Sequence, residues 1–160
     1  MTTANSSTIV TIDGDRAIVI ERTFNAPPEL VFQAHVDPEL LARWYGPRSL
    51  SLVIEALDAR AGGAWRFVIH DGDGNEYGSH GVFHDVAPGE RIMRTFEFEG
   101  APGQVALETV SFEHEDDRTK LVRTSVFQTP EDRDAMVQSG MDQGVSEFDD
   151  RLEELLRTLR

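Results

Sequence analysis

The C-terminal stretch "TPEDRDAMVQSGMDQGVSEFDDRLEELLRTLR", residues 129–160, decides the fold. Thr129 followed by Pro130 and Asp132 is typical of a capped helix start, and no further proline occurs before Arg160. At about 100° per residue, the apolar and small residues fall on one face. These positions are Val137, Met141, Gly144, Phe148, Leu152, Leu155 and Leu159. The pattern predicts one long amphipathic helix, whose apolar face must pack against a large partner surface.

That surface lies upstream, in a series of strand-like segments after Pro47. The segments are "LSLVIEALDA", "AWRFVIH", "YGSHGVFHDV", "ERIMRTFEFE", "QVALETVSFEHE" and "TKLVRTSVF". Their short connections, rich in Gly, Pro and Asp, favour successive antiparallel pairing. The helix can bury its stripe only on one face of this sheet. The sequence therefore predicts an α+β fold, with an antiparallel sheet wrapped around a long C-terminal helix.

The first third of the chain adds an opening strand and two short helices. "STIVTIDGDRAIVIERTF" indicates one strand, or two with a turn at "DGD". "NAPPELVFQAHVD" has helical spacing with proline at its start. Asp37 is a suitable cap for a second short helix that begins at Pro38.

Length and composition limit the class of protein. A chain of 160 residues suits one domain, 1–160, with an ordered part expected at about 8–158 because the first seven residues are mostly polar. No apolar run approaches the roughly 20 residues of a membrane span, and "MTTANSSTIV" lacks the layout of a signal peptide. The absence of cysteine excludes disulfides and thiolate sites and is compatible with a reducing compartment. We expect a cytoplasmic protein.

The net charge argues against nucleic acid as a partner. Fifteen Lys and Arg against 29 Asp and Glu give a formal charge of -14, which would repel a phosphate backbone. No basic patch offsets it, and the spread of acidic residues is typical of a solvated surface.

The stretch "HDGDGNEYGSH", residues 70–80, resembles the start of a calcium loop. The sixth and twelfth positions counted from Asp71 are Glu76 and Val82, where an EF-hand needs Gly and Glu. We therefore interpret "DGDGN" as a hairpin turn, and a turn at "GDGN" would place Phe67 opposite His80 and His70 opposite Tyr77.

Other motifs for catalysis or cofactors are missing. On a strand, the rings of His80 and His84 would lie roughly 13 Å apart, too far to chelate one metal. No G-x-S-x-G, P-loop or dinucleotide-binding glycine motif occurs. The sequence predicts no metal site and no cofactor, and it identifies no catalytic residue.

Several stretches together carry a family resemblance. They are "ERTFNAPPELVFQAHVDPELLARWYGP", "GGAWRFVIHDGDGNEYGSHGVFHDVAPGERI", "TFEFE" and "EDRDAMVQSGMDQGVSEFDDRLEELL". In this order, from about Ile18 to Leu156, they resemble the START and Bet v 1-like (SRPBCC) superfamily, in the branch similar to the C-terminal domain of the activator of Hsp90 ATPase.

The resemblance implies a helix-grip fold, in which a curved antiparallel sheet and a long helix enclose an apolar cavity. Members of the superfamily bind lipids, plant hormones or polyketides, and a minority catalyse cyclisation or hydrolysis. The Hsp90 activators bind a chaperone, and the eukaryotic activator carries a second, N-terminal domain that has no counterpart in this sequence.

Strand parity and helix spacing suggest which residues would line such a cavity. The candidates are Arg22, Trp44, Tyr45, Phe67, Ile69, Tyr77, His80, Phe83, Phe96, Phe98, Val110, Phe112, Thr124, Met136, Gly140, Met141, Gly144 and Phe148. The aromatic and aliphatic candidates are open to a second interpretation, as ordinary sheet-to-helix core.

Three kinds of candidate have specific alternatives. Arg22 has the parity of apolar neighbours, so it would face inward and either pair with an inward acid or anchor a ligand carboxylate. Gly140 and Gly144 each cost about 1 kcal/mol within a helix and indicate either close helix-to-sheet approach or empty volume, with Met136 and Met141 as adaptable walls. The His80 imidazole could hydrogen-bond a ligand or its own neighbours.

Three functional hypotheses follow. The favoured one is binding of a small hydrophobic molecule, such as a lipid-, polyketide- or aromatic-like compound, in the cavity. The second is a cyclase or hydratase in which Arg22, Tyr77 or His80 polarises a carbonyl group. The third is a chaperone-interaction module that uses an acidic face. An exposed sheet edge would also allow homodimers.

Overall fold

A computed structural model describes residues 8–160 of the chain. Its elements in chain order are β1 (Ile9–Asp13), β2 (Ala17–Phe24), α1 (Pro28–Val36), α2 (Pro38–Trp44), β3 (Ser51–Leu57), β4 (Ala64–His70), β5 (Glu76–Ala87), β6 (Arg91–Phe98), β7 (Val105–Glu115), β8 (Arg118–Val126), α3 (Pro130–Gln138) and α4 (Met141–Leu159). The predicted strands and the two early helices are all present.

Within residues 8–160 the strands form one eight-stranded sheet in the order β1-β2-β8-β7-β6-β5-β4-β3, and every neighbouring pair is antiparallel. The opening segment is two strands, because the chain reverses at Gly14 with φ +59°. Strands β1 and β3 are the two edges of the sheet. The helix-grip α+β architecture is confirmed.

The two early helices begin as the sequence predicts. The Asp37 carboxylate caps α2 by accepting a hydrogen bond of 2.9 Å from the Glu39 amide, and Pro38 occupies the first turn. In α1 the buried residues include Val31, Phe32 and Ala34. These residues attach the helix to the hydrophobic core.

The prediction of one unbroken C-terminal helix is wrong. Thr129 caps α3, accepting from the Asp132 amide at 3.1 Å, but α3 ends at Gln138. The chain then turns at Gly140, whose φ of +84° lies in the left-handed region that favours glycine, and α4 begins at Met141. Gly140 is therefore a turn residue between two helices.

The C-terminal half of α4 anchors the helix in the core. Leu152 and Leu156 are fully buried, and Leu155 is nearly so. They join one apolar cluster with residues of α1, α2 and the sheet. None of the helices in residues 8–160 is long and apolar enough to cross a membrane.

The hairpin at residues 70–80 forms, one residue out of the predicted register. The Asp71 carboxylate accepts hydrogen bonds from the backbone amides of Asp73 and Asn75, at 2.8 and 2.9 Å. This draws Asp71 into the turn, so His70 pairs with Glu76 rather than with Tyr77. Phe67 likewise lies opposite Ser79, and Arg66 lies opposite His80.

Candidate ligand-binding cavity

A cavity of about 330 Å³, here called the outer chamber, lies between the sheet and the N-terminal half of α4. Its strand and loop walls are Ile18, Ile20, Tyr45, Ile69, Tyr77, Ser79, Phe96, Phe98, Ala106, Glu108, Ser125 and Phe127. Its helical walls are Met136, Met141, Gly144, Val145 and Phe148. Most of these side chains are apolar, so the chamber suits an apolar occupant.

Gly144 borders open space rather than a packed neighbour. A Cβ atom built at Gly144 would meet no atom of the described residues within 4 Å. At Gly81, by contrast, a Cβ would lie 1.9 Å from the carbonyl oxygen of Thr95, which is true close approach. Of the two interpretations of Gly144, the geometry favours empty volume.

The outer chamber reaches the surface beside β5 and β6. Tyr77 and Phe98 line it yet are 43% and 38% exposed. The Tyr77 hydroxyl donates to the Asp71 carboxylate at 3.3 Å, and the charge of Asp71 raises the pKa of Tyr77. These two rings therefore lie where the chamber meets the solvent.

A second space of about 150 Å³, the inner chamber, adjoins the outer chamber on the side of the core. Tyr45 borders both chambers, with its ring 5.3 Å from that of Phe148 and 5.4 Å from that of Phe67. The inner chamber is more polar, because Arg94 and Glu108 border it. The cavity as a whole therefore has an apolar body and a polar inner end.

The Arg94 guanidinium is fixed on two sides. Its Nε donates to Glu108 Oε1 at 3.1 Å, and its charged carbon lies 4.0 Å from the centre of the Trp65 ring. Burial alone would lower the pKa of Arg94, but the charge of Glu108 raises it above its usual value. Burial also raises the pKa of Tyr45, which keeps the phenol in its neutral, donating form.

His35 borders the inner chamber from α1. Its Nδ1 lies 2.8 Å from the carbonyl oxygen of Val31, which can only accept, so Nδ1 carries the hydrogen and Nε2 is an acceptor. The ring packs edge-on against Trp44 and Phe112. Burial lowers the pKa of His35 to about 4, so the imidazole is neutral at physiological pH.

The candidate Arg22 needs correction. It faces inward as its parity predicts and is 5% exposed, but its Nη1 pairs with Asp150 Oδ1 at 2.8 Å. Arg22 therefore forms the ion pair within the protein, which was the first of its two interpretations. Arg22 does not line either chamber.

The candidate His80 also needs correction, because it lies on the opposite face of the sheet. Its parity on β5 is opposite to that of Tyr77 and Phe83, and its Nδ1 lies 2.8 Å from Glu99 Oε2. Glu97 is also nearby, at 3.5 Å from Nε2. Among residues 8–160, no three His, Asp or Glu side chains form a group that could hold a metal ion.

The other candidates divide between the outer chamber and its surroundings. The outer chamber is bordered by Tyr45, Ile69, Tyr77, Phe96, Phe98, Met136, Met141, Gly144 and Phe148. The inner chamber or an adjoining space of about 50 Å³ is bordered by Trp44, Phe67, Phe83, Val110 and Thr124.

Three of the candidates have other roles. Phe112 packs in the core, with its ring 5.5 Å from that of Phe32. Thr124 borders the inner chamber although it has the outer-face parity of β8, where the inward side chains are those of Leu121 and Arg123. Gly140 lies in the turn before α4.

Sequence reasoning missed the charged residues of the inner chamber, which are Arg94, Glu108 and Arg123. Arg94 has the parity of Phe96, and Glu108 has the parity of Val110, so alternation placed both of them inward. They are also direct cross-strand partners on β6 and β7. The signal was present in the alternation, but charged residues were not considered as cavity walls on these strands.

Comparisons with solved structures bear on the fold. A Rhodobacter sphaeroides protein has a TM-score of 0.90 and 24% identity, over 95% of this chain and 99% of that one. A Nitrosomonas europaea protein has a TM-score of 0.80 and 25% identity, over 92% and 98%. The AHSA1 protein from Silicibacter pomeroyi has a TM-score of 0.74 and 21% identity, over 90% and 99%.

A match to a family model shows the family to which the chain belongs. No curated protein matches the chain. The family model described as "Activator of Hsp90 ATPase homolog 1-like protein" matches residues 25–157, which include α1, α2, the strands from β3 to β8 and nearly all of α4. The chain belongs to this AHSA1 family.

Proposed function

We propose that this protein binds a small, largely apolar molecule between its sheet and α4. The observation that carries the proposal is the outer chamber, which at about 330 Å³ falls within the usual size of ligand sites, roughly 300–1,000 Å³. A water molecule has a share of about 30 Å³ in the liquid, so this chamber is far larger than a packing defect.

The chemistry of the walls supports an apolar ligand. Water in a chamber lined by Ile20, Phe96 and Phe148 would find few hydrogen-bond partners. An apolar molecule that replaces it gains about 0.8 kcal/mol for each buried CH₂ group. The resemblance to the START and Bet v 1-like superfamily supports the same reading, because its members enclose ligands in this position.

Turnover by the residues first suggested for it has less support. Arg22 is held in an ion pair and His80 lies within hydrogen-bond distance of Glu99, both outside the two chambers, and only Tyr77 of the three borders the cavity. The binding hypothesis requires no such group. It therefore remains our preferred function over the cyclase or hydratase hypothesis.

A matched pair of leucine variants tests the proposal. Gly144→Leu projects a side chain into the outer chamber, whereas Gln143→Leu adds the same side chain at the neighbouring exposed position of α4. Each purified protein is titrated with an apolar fluorescent dye, and native mass spectrometry identifies any small molecule that copurifies with the wild type. Circular dichroism confirms that both variants are folded.

We expect Gly144→Leu to weaken dye binding at least tenfold and Gln143→Leu to bind as the wild type does. No steric clash is expected to unfold Gly144→Leu, because the space around Gly144 is open. Equal binding by the two variants would overturn the proposal, as would a wild-type protein that binds neither dye nor copurifying ligand.

A further inference from the structure

We infer that the ligand is a neutral molecule with a hydroxyl group at one end, and that Glu108 and Tyr45 hold this hydroxyl at the inner chamber. The inference rests on the proposed function, since it concerns the occupant of the same cavity. It adds the chemical class of the ligand and its orientation.

The two chambers adjoin each other. Ile20, Tyr45, Glu108, Ser125 and Phe148 border both of them. Glu108 and Ser125 are also direct partners across β7 and β8, so they mark the junction on the sheet side. A molecule with its apolar body in the outer chamber can therefore place its polar end at Tyr45 and Glu108, on the boundary with the inner chamber.

The charges around the inner chamber are already balanced. Arg94 pairs with Glu108 at 3.1 Å. Arg123, which also borders the chamber, pairs with Asp149 through both of its terminal nitrogens at 2.8 Å. A ligand carboxylate would bring an unpaired negative charge next to Glu108 in a poorly solvated site. A ligand ammonium group would instead face Arg94 and Arg123. A neutral ligand avoids both costs.

The hydrogen-bond groups that remain suit a hydroxyl. Both Arg94 contacts, from Nε and Nη2, go to Glu108 Oε1, and within residues 8–160 Oε2 receives no hydrogen bond. A ligand hydroxyl can donate to this oxygen. The Tyr45 phenol is held neutral by its raised pKa and can donate to the hydroxyl oxygen in return. His35 Nε2 supplies a further acceptor in the same chamber.

Three ten-carbon probes test this class: 1-decanol, decanoate and decane, each competed against the apolar dye at pH 7.5. We expect decanol to bind the wild type at least tenfold more tightly than decanoate or decane. Tyr45→Phe should weaken decanol binding relative to decane binding. Decanoate binding equal to or tighter than that of decanol would overturn the inference.

A charge-matched pair of variants sharpens the test. Glu108→Gln removes the partner of Arg94, so a carboxylate can take its place, and the affinity for decanoate relative to decanol should rise at least tenfold. Glu97→Gln makes the same change of net charge near His80, on the outer face of the sheet, and should leave the ratio unchanged. An unchanged ratio in folded Glu108→Gln would contradict the inference.

The outcomes separate the inference from the proposed function. If the wild type binds the dye but prefers decanoate, the cavity is a ligand site and only the ligand class is wrong. If neither the dye nor any probe binds, the proposed function fails as well. Should Glu108→Gln fail to fold, the comparison of decanol with decanoate on the wild type still decides the matter.

Discussion

His35 couples the stability of the fold to pH through a single buried ring. Its pKa in the folded protein is about 4, lowered first by burial and further by the charges of Arg123 and Arg94, against 6.5 in the unfolded chain. Between these values the unfolded chain binds a proton that the folded chain does not. The free energy of unfolding therefore falls as the pH drops from 6.5 toward 4, with a loss from His35 of about 2 kcal/mol by pH 5.

The variant His35→Phe isolates this contribution. It keeps an aromatic ring between Trp44 and Phe112 but cannot titrate. Urea unfolding at pH 7.5 and pH 5.0 should show a smaller loss for the variant than for the wild type, by about 2 kcal/mol. All other titrating groups are common to both proteins. An equal fall in the free energy of unfolding in both proteins would show that protonation of His35 does not destabilise the fold.

At the scale of elements, the buried ion pair between α4 and β8 fixes the helix over the sheet. Asp149 is fully buried near the middle of α4, and both of its oxygens accept from Arg123 at 2.8 Å. Replacing Asp149 by Ala leaves the Arg123 charge buried without its partner. We expect Asp149→Ala to lower the free energy of unfolding by about 3–5 kcal/mol, as measured by urea denaturation.

The exposed pair of Arg48 and Glu154 provides a control on the same helix. Both side chains are 52% exposed, so Glu154→Ala should cost no more than about 1 kcal/mol. The double variant Arg123→Met with Asp149→Leu removes both buried charges and should recover much of the loss. Equal costs for the two single Ala variants would contradict the assigned role of the buried pair.

At the scale of the whole molecule, excess acidic charge opposes the compact state. The formal charge is -14, and mutual repulsion is screened over about 10 Å at 0.1 M salt. We expect the melting temperature to rise between 0.05 and 0.5 M NaCl at pH 7.5, as followed by circular dichroism. A lower melting temperature in salt would show that surface ion pairs, such as Arg66 with Glu99, outweigh the repulsion.

Much of the overall fold could be predicted from the sequence. Periodicity and turn residues predicted the order of strands and helices, because these signals are local. The break at Gly140 was missed because a glycine within a helical pattern does not reveal whether its φ is positive. The register at Asp71 was missed because a side chain, rather than the backbone alone, sets the length of that turn.

The cavity was harder to predict than the sheet. The cavity depends on the absence of a side chain at Gly144. Its polar end depends on cross-strand side-chain pairs, which form only after β6, β7 and β8 align. The single domain, homodimer formation at a sheet edge and chaperone interaction through an acidic face stay predictions. A pull-down of Hsp90 at low salt, lost at high salt, would support the last of these.

The open space at Gly144 has a practical consequence, because the protein contains no cysteine. Gly144→Cys would introduce the molecule's sole thiol, directed into the chamber that we propose is occupied. Maleimide coupling at that sulfur would be site-specific without further engineering. A polarity-sensitive fluorophore attached there would report, in real time, the exchange of solvent for guest.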